Sequence, residues 1–94
     1  MYFHLYLFKT IGMKSNRESK IADEILKEIG VKVRDIRKSQ YKNYEEFAKA
    51  NGFNKVTVSR LEHGENVNLK TLIEVLCALN VPVNDFFSQM NPNL

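Results

Sequence analysis

The stretch NKVTVSRLEHGENV, residues 54–67, decides the fold. Asn54 is a residue type that caps helix starts, and Gly64 is one that stops helices. Advancing about 100° per residue from Lys55 places Lys55, Ser59, His63, Val56 and Arg60 in one continuous arc of roughly 140°. Thr57, Val58, Leu61 and Glu62 fill the other side, where Val58 and Leu61 face a core. The first set faces solvent or a partner. Arg60 carries a forked donor that matches guanine O6 and N7, and Lys55 can make the same contact less rigidly. Val56 can touch a thymine methyl, and Ser59 a base edge or a phosphate. The competing reading is that any amphipathic helix has a polar arc that is merely solvated.

The neighbouring segments decide between these readings. Upstream, YEEFAKAN lies between Asn43 and Gly52. Asn43 is a good N-cap, and Glu46 three residues on completes a capping-box pattern. This helix buries Phe47 and Ala48 and ends at Gly52. Two short helices joined by a tight glycine-containing turn form a helix-turn-helix. Downstream, ENVN is a loop, and Asn68 caps LKTLIEVLCALN, with Leu69, Leu72, Ile73, Leu76 and Leu79 expected inward. Pro82 starts a short helix, PVNDFFSQ, whose Phe86 and Phe87 serve the core or an interface. Residues 91–94 form a tail.

Before the motif, residues 14–18 read as a loop. From Ser19, Ile21, Ala22, Ile25, Leu26 and Ile29 recur at helical spacing. Gly30 either ends this helix or sits at a tight crossing. VKVRDIRKSQ then turns Val33 and Ile36 inward, as a second helix or a continuation of the first. The expected fold is all-α: a five-helix, repressor-like domain over residues 19–90, with an extra N-terminal helix. A short aromatic strand or arm occupies residues 1–18.

That N-terminal segment, MYFHLYLFKTIGM, lacks the early basic residue and the small-residue cleavage site of a secretory signal, and its apolar run is too short to span a bilayer. It reads as a strand that pairs with its copy in a dimer, as an apolar arm on the helical core, or as a sequence upstream of a natural start at Met13. The strand or arm is preferred. His4 has no partner at ligand spacing, so no metal is expected.

Length and composition bound the function. Ninety-four residues suit one small domain. The single cysteine, Cys77, excludes an intrachain disulfide and fits a reducing, cytoplasmic location; it reads as a small core or interface residue. The net charge of +3 is unevenly placed: residues 71–94 contain no Lys or Arg but two acids. An anionic partner would avoid that end. Catalysis is not expected. Ser59 and His63 stand at i and i+4, but on a convex helix face without a third member, and no carboxylate pair, metal spacing or phosphate-cradling glycine loop occurs. No cofactor is expected.

The stretch from Val33 to Phe87, with its EEFA, Gly52, Thr57-Val58-Ser59-Arg60-Leu61-Glu62, Gly64 and ALNV elements, resembles the Cro/repressor-type helix-turn-helix domain, also called the xenobiotic-response-element family. The resemblance covers about two thirds of the chain. It implies a DNA-binding transcriptional regulator, a repressor, that binds operator DNA in the major groove as a homodimer. By resemblance, Lys55, Val56, Ser59 and Arg60 occupy base-reading positions. Thr57, Asn43 and Tyr44 stand where phosphates are met, and His63, at the far end of the same helix, is placed with them. Lys42 adds a charge beside the expected DNA backbone. Arg37 and Glu62 match a structural ion pair between the first and third helices. Two positions depart from the family pattern. Tyr44 replaces the usual glutamine at the start of the first motif helix, and Tyr41 and Lys42 stand where a glycine is common. The alternative is an antitoxin of a toxin–antitoxin pair, or another protein-interaction adaptor, built on the same domain. No membrane partner is expected.

Overall fold

A computed structural model describes residues 16–90, and these form five helices: α1 (Asn16–Gln40), α2 (Tyr44–Asn51), α3 (Lys55–Glu62), α4 (Leu69–Ala78) and α5 (Val83–Ser88). The expected N-terminal strand or arm and the tail at 91–94 lie outside the described residues, apart from residues 16–18. Those three are helical and not a loop, so α1 begins earlier than Ser19.

α1 is one helix of 25 residues, so the extra N-terminal helix is the first half of α1 and not a separate element. Gly30 therefore marks a crossing, not a stop. A Cβ added to it would lie 2.6 Å from the Leu61 carbonyl oxygen and 2.8 Å from that of Glu62. The missing side chain lets the backbone of α1 approach the last turn of α3. Gly64 completes the contact from the other side. Its φ of +78° is left-handed, and a Cβ there would lie 2.8 Å from Cα of Lys27. α1 and α2 both pack on α3, and α5 packs on α4.

The core is built from Ile29, Val33, Phe47, Ala48, Val58, Leu61, Leu72, Val75, Leu76, Leu79 and Phe86. Tyr41 meets Phe47 edge-on at 5.2 Å between ring centroids, and Phe53 stacks on Phe47 at 5.6 Å. Fixing these rings sets the turn between α2 and α3. Gln40 Nε2 donates to the Leu79 carbonyl at 2.9 Å, which joins the end of α1 to the end of α4.

α4 is rotated from the expected orientation. Leu72, Val75, Leu76 and Leu79 are buried, whereas Leu69 is 63% exposed and Ile73 36% exposed. The buried set follows i, i+3, i+4, i+7 spacing; Leu69 and Ile73 fall on the shoulder of that stripe. Cys77, four residues after Ile73, is exposed and not part of the core. Of the two terminal phenylalanines, Phe86 is buried and Phe87 is 38% exposed. Ala22, expected inward, is also exposed.

Candidate nucleic-acid interface

The turn chemistry that positions α3 is local. Asn43 lies extended before α2, and its side chain accepts from the Glu46 N–H at 2.8 Å. Gly52 ends α2 in the left-handed region at φ 74°, its N–H donating to the Ala48 carbonyl. Nothing lies within 4 Å of where a Cβ would stand on Gly52, so backbone conformation alone demands glycine there. Two residues later Asn54 opens α3, its side-chain oxygen accepting from Val56 N–H at 2.8 Å and Thr57 N–H at 3.3 Å.

α3 is anchored from behind by Val58 and Leu61, which are 0% and 2% exposed. Lys55, Val56, Arg60 and His63 are exposed, and Thr57 and Ser59 are half-buried. The open flank carries one lysine, one arginine and no acid. Lys42 is exposed in the turn before α2, and Asn43 and Tyr44 are half-buried beside it.

Arg37 and Glu62 form a buried two-point pair between α1 and α3. Arg37 Nη2 donates to Glu62 Oε1 at 2.7 Å and Nε donates to Oε2 at 2.9 Å. The hydrogen bond to Glu62, with its charge, pushes the Arg37 pKa above the ordinary arginine value, against the opposing effect of burial. Arg37 Nη1 also donates to the carbonyls of Tyr41 and Lys42, each at 3.4 Å. One guanidinium thus holds both the end of α3 and the turn that presents Lys42.

His63 ends α3 with its Nδ1 at 2.7 Å from the Ser59 carbonyl. That contact requires the proton on Nδ1, which leaves Nε2 as an acceptor while the ring is neutral.

Two neighbours of the flank were not singled out from the sequence. Arg60 Nε donates to Glu65 Oε1 at 3.1 Å across the turn after α3. A cavity of about 230 Å³ beside it is lined by Thr57, Arg60, Asn66, Val67, Asn68 and Thr71. ENVN carries no periodicity, so its placement against α3 left no trace in the sequence beyond the reversal at Gly64.

No group of three or more metal-ligating side chains occurs among the described residues, and no helix among them is long and apolar enough to cross a membrane. No curated protein matches the chain. A family model described as Helix-turn-helix matches residues 33–86, from the last third of α1 into α5. That match spans more than half of the chain and takes in both caps, the glycine turn and the open flank of α3. The chain therefore belongs to the Cro/repressor-type helix-turn-helix family of DNA-binding transcription regulators.

Proposed function

We propose that the protein is a sequence-specific transcriptional repressor that binds operator DNA as a homodimer, reading bases with residues 55–63. Lys55, Val56, Ser59 and Arg60 meet base edges in the major groove. Lys42, Asn43, Tyr44, Thr57 and His63 meet phosphates, with the N-terminus of α2 directing free N–H groups and a favourable dipole at the backbone. Two recognition helices about 34 Å apart would enter successive major grooves, and the bound dimer would block polymerase sterically.

The observation that carries this reading is the flank of Lys55, Val56 and Arg60, open to solvent on a short helix held from behind by Val58, Leu61 and the Arg37–Glu62 pair. Leu69, Ile73 and Cys77 stand at four-residue spacing on one uncovered flank of α4, which supports the dimer. Selection of duplexes from a random pool by the purified protein tests the reading. Enrichment of a paired, two-fold-related motif is expected. Recovery of duplexes no different from the starting pool would end it.

A further inference from the structure

We propose that Glu65 is a positioning residue for base recognition: it holds the Arg60 guanidinium by Nε so that both terminal nitrogens present to one base. This deepens the reading of Arg60 as a base-reading side chain and rests on it.

Glu65 is bound to Arg60 twice. Its backbone N–H donates to the Arg60 carbonyl at 2.9 Å, and its Oε1 accepts from Arg60 Nε at 3.1 Å. The first bond fixes where Glu65 starts; the second fixes where the arginine side chain ends. The turn between them is seated on α1: Gly64 lies in the left-handed region, and a Cβ there would stand 2.8 Å from Cα of Lys27.

The atom used matters. An arginine reads guanine with a pair of parallel N–H groups. Glu65 takes Nε, and among the described residues no acceptor takes Nη1 or Nη2. The outer fork is left intact, with fewer rotamers to lose on binding. The pair is solvent-exposed on both sides, at 57% and 54% of the side chains. Such a pair adds little to stability, so folding does not explain its presence. A carboxylate beside a polyanion also opposes binding by charge alone. Electrostatics and positioning therefore predict opposite results when Glu65 is removed.

The test uses the full chain and a duplex enriched from a random pool by the parent protein, together with its single-base-pair variants. Arg60→Ala, Glu65→Ala, Glu65→Gln and the double variant are compared at fixed salt, with thermal unfolding run in parallel. Arg60→Ala is expected to lose discrimination at one base pair by on the order of tenfold to a hundredfold. Glu65→Ala is expected to lose about fivefold or more at that same pair, and to add nothing in the Arg60→Ala background. Glu65→Gln, which keeps an oxygen acceptor and drops the charge, is expected to retain more of the discrimination. If Glu65→Ala tightens binding to every duplex equally and leaves discrimination unchanged, Glu65 is only a repelling charge and the proposal falls. If Arg60→Ala itself alters no base preference, the base-reading assignment falls and takes the proposal with it.

Discussion

Arg37 and Glu62, 25 residues apart in the chain, meet side by side with side-chain exposures of 6% and 4%. The pair ties the last turn of α1 to the last turn of α3, and through the 3.4 Å bonds from Arg37 to Tyr41 and Lys42 it reaches the turn before α2. A buried charge without its partner is expensive, whereas a buried pair replaced whole by apolar groups often is not. Glu62→Ala or Arg37→Ala should therefore lower unfolding free energy by about 3–5 kcal/mol, and the double change Arg37→Met with Glu62→Leu should recover most of the loss. Urea titrations of the four proteins check this. Equal destabilisation in the single and double variants would contradict it.

The raised pKa of Arg37 carries its own sign. A group whose folded pKa lies above its unfolded value stabilises fully below the unfolded value, and the contribution is lost only as pH rises through the folded one. Both values lie in or above the ordinary arginine range, so Arg37 contributes no slope to stability between about pH 6 and pH 9. Urea midpoints measured across that interval for the parent and the double variant Arg37→Met with Glu62→Leu, which leaves no unpaired buried charge, should run parallel.

Gly30 and Gly52 should respond to alanine for different reasons. At Gly30 helix propensity favours alanine by about 1 kcal/mol, but the new Cβ would press on the α3 backbone at 2.6 Å. Backbone cannot step aside as a flexible side chain can, so a net loss of about 1–3 kcal/mol or more is expected. At Gly52 there is open space, and only the left-handed φ opposes alanine, by about 1–2 kcal/mol. Gly30→Ala should also disturb the resonances of α3 in an NMR spectrum, while Gly52→Ala should leave them in place.

Asn54 closes the N-terminus of α3 with two hydrogen bonds. Asn54→Ala should lower stability by about 1 kcal/mol, and Asn54→Ser should restore most of it. Amide hydrogen exchange at Val56 and Thr57 should speed up in the alanine variant and return toward the parent rate with serine.

Phosphate and base contacts separate by their salt dependence. Lys42→Ala should weaken binding to all duplexes alike and reduce the salt slope by about 1, whereas Arg60→Ala should relax preference at one position. Titrations at several salt concentrations, on the selected duplex and a scrambled one, read both effects. A base-specific loss from Lys42→Ala would remove it from the backbone contacts.

The amino-acid sequence by itself determined the local elements of the motif. Asn43, Gly52, Asn54 and Asn68 act within a few residues of themselves, through caps and a left-handed turn, so their roles are written in adjacent positions. The helical period likewise placed Val58 and Leu61 on one side of α3 and Lys55, Val56, Arg60 and His63 on the other. Only the tertiary structure decided how far each stripe is covered. Periodicity gives a helix a phase, but the neighbouring helices choose which part of the apolar arc is buried. That is why Leu69 and Ile73 lie outside the core and Val75 lies within it. Gly30 reads alike as a stop or a crossing until the α3 backbone stands against it. Gly64 lies against Lys27 of α1, 37 residues earlier in the chain, and no local pattern encodes that seat for the turn that carries Glu65 back to Arg60.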